Sequence, residues 1–310
     1  MSWRSVVIRN KCSLHVKDNQ LVIDRAGFDI VTLPIEDIGV LLIDTFEVNL
    51  TVSVLARMAE YGGIIIGCGD NHTPAAISLP LVAHSRQTAI QRTQVELSKP
   101  FLKRCWQKIV KQKILNQAKI LSLCDHRVTS EELFELAQTI TSGDSTNVES
   151  NAARIYFRKL FGTSFIRGSQ YEGVGAVNSH LNYGYAVIRS VIAQSIVNHG
   201  LLPAFGIHHH SELNPFNLAD DIIEPFRPLV DLYVAGLELS EEDGYELTPE
   251  DKAGLIALLH SDVKIKNKKY AAMYAVDLCV ANYQQAVLSG NPTDFDTVPE
   301  IVPIREHVYE

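Results

Sequence analysis

The sequence predicts an α+β protein in which a small β-rich N-terminal domain precedes a larger all-α helical domain. Short apolar runs rich in β-branched residues dominate up to about residue 79, and helical periodicity dominates beyond that point. Between them, residues 70–80 contain Pro74 and Pro80 and are typical of a linker. We therefore assign residues 1–79 to the first domain and residues 80–310 to the second.

The N-terminal domain is predicted to contain short strands, a hairpin and one helix. Residues 17–20 supply turn residues between two alternating runs. An amphipathic helix over 51–61 precedes a short buried strand at 64–66. The glycines that follow are expected to form a turn, because they lack the Lys-Ser/Thr of a phosphate-binding loop. The other predicted strands cover residues 3–9, 13–17, 20–24, 29–33 and 38–43.

The C-terminal domain is predicted to contain eight helices. The loop at 143–147 is expected to cap the fourth of them. Pro225 cannot donate a hydrogen bond to the Asp221 carbonyl, so we expect a kink or break there. The segment 291–310 contains three prolines and is predicted to be an irregular tail. The helices are expected over residues 81–96, 100–124, 131–141, 147–161, 176–199, 216–235, 249–260 and 268–288.

Composition is typical of a soluble cytoplasmic protein. The 310 residues are 46% hydrophobic, enough for one large core or two modest ones. No charged-then-apolar leader is visible, and no apolar run approaches the ~20 residues that span a bilayer, so we expect no membrane partner. The five cysteines are scattered and form no Cys-x-x-Cys pair, which favours reduced thiols over disulfides or zinc.

Charge is unevenly distributed along the chain. The net charge of −8 argues against a nucleic-acid partner, yet residues 84–124 contain nine Lys or Arg and only one acid, Glu96. A basic face of this kind attracts phosphates over about a Debye length, although most charge runs are simply solvated helix faces. We favour contact with DNA. The basic residues are Arg86, Arg92, Lys99, Lys103, Arg104, Lys108, Lys111, Lys113 and Lys119.

Glu149 is a candidate catalytic residue because it lies on the predicted apolar stripe of its helix. At about 100° per residue, it aligns with Ala153, Tyr156 and Leu160. A carboxylate buried there must be paired, protonated or bound to a metal. The structural alternative is that Arg154 or another basic residue neutralises it.

A second group of candidates lies between residues 206 and 228. Three consecutive histidines precede Asp220, Asp221 and Glu224, which share one face if the segment is helical. Carboxylates with few soft donors favour magnesium or manganese over zinc. The alternative interpretation is a solvated acidic first turn. Adjacent histidines also point in different directions, so at most two of them can ligate together.

These motifs resemble those of the CRISPR-associated spacer-acquisition integrases, the Cas1 family. Glu149 with the following alanines and aromatics resembles the family's first catalytic motif, and residues 181–186 resemble its central helix. The Gly-x-x-His at 206–209 and residues 218–228 resemble its second and third motifs. Residues 1–4 and 214–218 are most similar to members from type II systems. The resemblance covers nearly the whole chain.

The resemblance implies a metal-ligand triad of Glu149, His209 and Glu224. The choice of His209 depends on the alignment of the Gly-x-x-His motif, so His208 and His210 stay open as alternatives. Asp221 is a further candidate, which could ligate the metal, bridge to it through water or orient His209. Candidate DNA contacts are Arg86, Arg92, Lys103, Arg104, Lys108 and Lys111, together with Arg227.

The resemblance also implies the reaction and its partners. The expected reaction is a Mg²⁺- or Mn²⁺-dependent transesterification, in which a prespacer 3′-hydroxyl attacks the CRISPR repeat; attack by water would give endonuclease activity. Expected partners are double-stranded DNA, a second copy of the chain through the N-terminal domain, and a small Cas2 protein in a heterohexamer. A type II effector nuclease and a ring-forming DNA-binding protein are further candidate partners.

Two other functions remain open from the residues alone. One is a metal-dependent hydrolase of small phosphoesters, which would need a deep closed pocket and would leave the basic segment unexplained. The other is a non-catalytic DNA-binding scaffold whose carboxylates are structural.

Overall fold

The structure is a computed structural model that describes residues 4–168, 175–239 and 246–308. Residues 1–3, which resemble type II members, and the last two residues of the predicted tail lie outside these ranges. The chain forms two compact units, Met1–Ser85 and Arg86–Glu310. The first is β-rich and the second is mostly helical, which confirms the predicted fold class.

In its described residues, 4–85, the first unit contains two four-stranded sheets and one α-helix. One sheet has the order β1-β5-β7-β8 and the other β4-β3-β2-β6. Their inner faces and the helix α1 (Val52–Glu60) enclose a core that includes Leu14, Leu41 and Met58. The strands are β1 (Arg4–Ile8), β2 (Cys12–Lys17), β3 (Gln20–Asp24), β4 (Val31–Pro34), β5 (Ile38–Ile43), β6 (Val48–Leu50), β7 (Ile64–Cys68) and β8 (Pro74–Ser78).

The predicted hairpin is confirmed, and the predicted linker is wrong. Lys17 pairs with Gln20 around Asp18 and Asn19, whose positive φ angles of 50° and 57° suit a two-residue turn. The segment 70–80 instead contains β8, which pairs antiparallel with β7. Pro74 is tolerated because it begins an edge strand, where a backbone donor is not needed.

The second unit is built mainly from nine helices within the described ranges. All eight predicted helices are present, and the one predicted over 216–235 is broken before Arg227, as Pro225 led us to expect. The long helix α3 packs against α4 and α5, while α6 packs against α7, α8, α9 and α10. The helices are α2 (Gln87–Val95), α3 (Lys99–Leu123), α4 (Arg127–Gln138), α5 (Val148–Leu160), α6 (Gly175–Asn198), α7 (Asn217–Ile222), α8 (Arg227–Ala235), α9 (Pro249–Ala257) and α10 (Ala272–Ser289).

The second unit also contains a small sheet that the sequence analysis missed. Strands β9 (Ser261–Ile265), β10 (Lys268–Ala271) and β11 (Glu300–Glu306) pair antiparallel in the order β10-β9-β11. The domain is therefore mostly helical rather than all-α, and its C-terminal tail is not irregular throughout. Pro303 lies where the register of β11 shifts, on an edge strand that can accept a proline.

Two further expectations concern cysteines and membrane spans. All five cysteines lie within the described residues, and all are free. Among those same residues, no helix combines the length and the apolar character required to cross a bilayer.

Candidate functional site

Glu149 lies in the first turn of α5, where the preceding loop holds it in place. The carboxylate of Asp144 accepts hydrogen bonds from the backbone N–H groups of Val148 (2.9 Å) and Glu149 (3.0 Å), which confirms the predicted capping loop. The buried face of α5 includes Val148, Ala152 and Tyr156. Glu149 lies at the edge of this face, and its side chain is 22% exposed.

Lys113 joins Glu149 to Glu224. Its Nζ atom lies 2.6 Å from Glu149 Oε1 and 2.6 Å from Glu224 Oε2. The contact with Glu149 is a hydrogen bond, whereas the contact with Glu224 is an ion pair without hydrogen-bond geometry. Arg154, the neutralising residue considered from the sequence, bonds to Asn151 instead. The sequence analysis assigned Lys113 only to the basic segment and missed this position.

Glu224 lies between α7 and α8 and is held from two sides. Arg227, at the start of α8, donates from Nε to Glu224 Oε1 at 2.9 Å. Burial alone would raise the pKa of Glu224, but Arg227 and Lys113 together outweigh it and lower the pKa to about 2. The two carboxylates in turn raise the pKa of Lys113 against the effect of burial. Glu224 and Lys113 are therefore ionised at neutral pH.

Asp221 organises the histidine segment from within α7. It has no exposed surface, and its two oxygens accept the backbone N–H groups of Ile207, His208 and His209. It also accepts a hydrogen bond from Nδ1 of His209 at 2.7 Å. Gly206 permits this turn, since a Cβ atom there would overlap the His209 carbonyl oxygen. Of the three roles considered for Asp221, its contacts favour orienting His209.

The three histidines differ in their surroundings. The His208 ring stacks on the buried Trp106 indole with centroids 4.3 Å apart and planes 4° apart. His209 meets the same indole edge-on at 5.9 Å. The hydrogen bond to Asp221 engages Nδ1 of His209, so Nε2 is the ring nitrogen that could ligate a metal. The hydrogen bond to Asp221 is the main cause of the raised pKa of His209.

Glu149, Glu224 and His209 are the residues that could hold a divalent cation. Glu149 and Glu224 already share one cation, the ammonium group of Lys113, and His209 is near enough for the charge of Glu224 to raise its pKa. Two carboxylates with one imidazole suit Mg²⁺ or Mn²⁺. In the described parts of the chain, no three His, Cys, Asp or Glu side chains are yet gathered as a metal-binding group. The donor chemistry fits the ion, but Lys113 lies between the two carboxylates.

Asp220 is engaged outside this cluster. Arg189 donates to its carboxylate from two nitrogens at 2.6 and 3.0 Å, and Asn214 adds a third hydrogen bond at 2.6 Å. Both oxygens of Asp220 thus accept hydrogen bonds from Arg189, and one of them also from Asn214, which lies in the loop before α7. This agrees with the triad implied by the resemblance, which does not include Asp220.

The candidate DNA contacts divide into exposed and anchored side chains. Lys108 donates to the carbonyl oxygens of Pro292, Thr293 and Phe295, and Lys111 donates to Gln138. Arg227 is bound to Glu224 and lies over the Tyr185 ring at 4.5 Å. The exposed members are Arg86, Arg92, Lys103 and Arg104. These four remain candidates for contact with phosphate.

The chain is similar to known proteins in both sequence and fold. Residues 5–243 match the family model described as CRISPR associated protein Cas1. The chain is 40% identical to CRISPR-associated endonuclease Cas1 of Neisseria meningitidis serogroup C (strain 8013) over 310 residues, which cover 100% of both chains. It is 32% identical over 180 residues to CRISPR-associated endonuclease Cas1 1 of Francisella tularensis subsp. novicida (strain U112), covering 53% of this chain and 56% of the relative.

Solved structures share the fold at low sequence identity. A casposase bound to integration product superposes with a TM-score of 0.76 at 19% identity, covering 96% of this chain and 94% of the other. A Cas1 protein from Thermotoga maritima gives 0.70 at 17% identity, covering 92% and 97%. A chain of a Cas6-RT-Cas1–Cas2 complex gives 0.73 at 18% identity, covering 97% of this chain and 37% of that one. Taken with the family match, these findings show that the chain belongs to the Cas1 family of CRISPR-associated proteins.

Proposed function

We propose that this protein is a CRISPR adaptation integrase that joins prespacer 3′-hydroxyls to the CRISPR repeat by metal-dependent transesterification. The observation that carries the proposal is the pair of carboxylates, Glu149 and Glu224, which share one cation near the oriented imidazole of His209. A full-length relative named as an endonuclease and a structural neighbour bound to integration product support it. The same site would give endonuclease activity when water replaces the DNA hydroxyl.

The residues of the cluster have distinct roles in this proposal. Glu149 and Glu224 would supply anionic oxygen ligands, and His209 would supply a neutral nitrogen from Nε2. Bound Mg²⁺ or Mn²⁺ would polarise the phosphodiester and stabilise negative charge in the transition state. Asp221 holds the imidazole in the ligating tautomer. The attacking hydroxyl belongs to the DNA, so no nucleophilic side chain is required.

Partners are proposed from the relatives and from the basic segment. Structural neighbours include Cas1–Cas2 complexes and a Cas1–DNA complex. We propose that this chain likewise binds double-stranded DNA, forms a homodimer and joins a small Cas2 protein in a heterohexamer. The effector nuclease and the ring-forming DNA-binding protein are proposed from the family resemblance alone. The cytoplasmic location is proposed from the composition and the cysteine pattern.

Strand transfer into a repeat-containing plasmid tests the reaction directly. The assay would contain the purified protein, its Cas2 partner and a labelled duplex with free 3′-hydroxyls, with Mn²⁺ or with EDTA. We expect joined label only with the metal, and its loss in Glu149→Ala and His209→Ala. The matched control is Glu131→Ala, an exposed acid on α4 that is expected to retain joining.

Other outcomes would separate the remaining functions. Cleavage without joining would indicate a nuclease that lacks its correct partner or DNA substrate. Joining that survives in Glu149→Ala would contradict the assigned site. DNA binding by folded protein with no metal-dependent event would support the scaffold, in which the Lys113 bridge is purely structural.

A further inference from the structure

Lys113 is an ionisable group of the cluster to which the proposed reaction assigns no role. It lies on the face of α3 that also carries Trp106, Ile109 and Val110, all of which are buried. Its side chain is only 12% exposed. Burying a lysine on such a face costs free energy unless its charge is paired. Here it is paired with the two carboxylates that are proposed as metal ligands.

The ammonium group lies between the two carboxylates, where a bound metal ion would be expected. It lies 2.6 Å from one oxygen of Glu149 and 2.6 Å from one oxygen of Glu224. Without a cation between them, these two anions would repel each other in a partly desolvated site. Lys113 therefore holds the two carboxylates together when the divalent ion is absent.

The second cation of the cluster is anchored differently. Arg227 follows Glu224 by three residues, bonds its other oxygen Oε1, and lies over the Tyr185 ring at 4.5 Å. Its planar group is thus fixed on two sides. Lys113 has a flexible four-carbon stem, so its ammonium can leave without movement of α3. Of the two cations, Lys113 is the one that can be exchanged.

We propose that Lys113 is a built-in counter-ion that assembles the Glu149–Glu224 pair and must be displaced when a divalent cation binds. This inference rests on the proposed metal-dependent function and adds a residue that sets metal affinity by competition. A divalent ion that takes both carboxylates replaces the two contacts of Lys113. The released ammonium then returns to solvent, and the α3 backbone stays in place.

Metal affinity in the absence of DNA is the direct test. Mn²⁺ dissociation constants would be measured by titration calorimetry on the full chain, for the natural protein and for Lys113→Met. Methionine removes the charge and approximately keeps the volume of the side chain. We expect Mn²⁺ to bind about tenfold more tightly to the variant, since charge-assisted contacts of this kind no longer compete. The matched control, Lys119→Met, removes an exposed charge from the same helix and is expected to leave the constant unchanged.

The outcomes distinguish the inference from the proposed function. An equal or weaker Mn²⁺ affinity in Lys113→Met, with binding intact in the natural protein, would overturn the role of Lys113 and leave the metal site standing. Mn²⁺ binding that is unaffected by Glu149→Gln, or that is absent from every protein, would overturn both.

A second measurement uses the unmodified protein and does not depend on the folding of a variant. Amine acylation would be followed at Lys113 by peptide mass spectrometry, with Lys119 as the internal reference. We expect the acylation rate at Lys113 to rise several-fold on addition of Mn²⁺, because displacement exposes the amine. An unchanged ratio of Lys113 to Lys119 at saturating Mn²⁺ would show that the ammonium stays in place, and would overturn the inference.

Discussion

His209 and Asp221 form a single unit, in which the imidazole Nδ1 lies 2.7 Å from a carboxylate oxygen with no exposure to solvent. The same carboxylate receives the backbone N–H of His209 at 3.1 Å. Both the position of the residue and the tautomer of its ring therefore depend on one acid in α7. An outer carboxylate of this kind orients a ligating histidine and raises its basicity.

Asp221→Asn should weaken the site without removing any direct ligand. The amide nitrogen of Asn cannot accept the Nδ1 proton, so at best one oxygen serves four donors. We expect metal affinity and strand transfer to fall by about 10–100-fold. Calorimetry with Mn²⁺ and the plasmid assay would measure the two effects. Full metal affinity in this variant would show that the ring is oriented by other contacts.

Gly206→Ala should disturb the same histidine from the backbone side. The new Cβ would overlap the His209 carbonyl oxygen and would lie 2.7 Å from Asp221 Oδ2. Both neighbours are fixed by hydrogen bonds, so the loop must shift. We expect a loss of about 1–3 kcal/mol of stability and of most activity. Gly236→Ala is the control, since its Cβ would meet the Tyr233 carbonyl oxygen at an ordinary 3.4 Å. Equal melting temperatures for the two variants would refute the steric argument.

The sequence predicted the helices better than the edges of the sheets. Long periodic segments such as α3 and α6 were assigned correctly, because their apolar faces are continuous. The strands β8 and β11 were missed because Pro74 and Pro303 are typical of loops. Each strand is stabilised by pairing with an earlier strand, β7 for β8 and the distant β9 for β11, and local propensity does not encode that pairing.

The sequence analysis identified the acidic residues of the site but missed the cation that joins them. Glu149 was found because a carboxylate near an apolar stripe requires a partner. The same reasoning applies to Lys113 on α3, but the sequence analysis places that residue only in the basic segment, for which it favours contact with DNA. Which histidine Asp221 contacts depends on the turn at Gly206, and spacing alone does not determine it. The three-dimensional arrangement supplied both answers.

The exposed basic residues should account for the salt dependence of DNA binding. Replacing Arg92, Lys103 and Arg104 by alanine should lower the slope of log affinity against log salt by about 2–3, at ~0.9 per lost phosphate contact. Fluorescence anisotropy over a salt series would measure this slope.

Lys108→Ala is the contrasting variant, because the Lys108 ammonium group donates hydrogen bonds to three carbonyl groups. It should lower the melting temperature and leave the slope unchanged. An unchanged slope in the triple variant would refute the basic-face assignment.

A buried acid beside the site should give the protein an unusual pH dependence. Asp231 accepts hydrogen bonds from Tyr156 and Tyr185, which ties α8 to α5 and α6. Burial raises the pKa of Asp231 to about 6, although the two tyrosine hydroxyls and nearby arginines oppose it. Because the folded state holds this proton more tightly than the unfolded chain, the associated stability is present below about pH 4. It is lost as the pH rises through about 6.

Asp231→Asn should remove that loss, since asparagine stays neutral at every pH. We expect the variant to gain about 1–3 kcal/mol relative to the natural protein between pH 4 and pH 7.5, at ~1.4 kcal/mol per tenfold change in proton affinity. Denaturant unfolding across this range would measure the difference. Asp277→Asn is the control of opposite sign, because the contacts with His199 and Ser195 outweigh burial and lower the pKa of Asp277. A stability difference for Asp231→Asn that does not vary with pH would mean that this carboxyl does not titrate in the range.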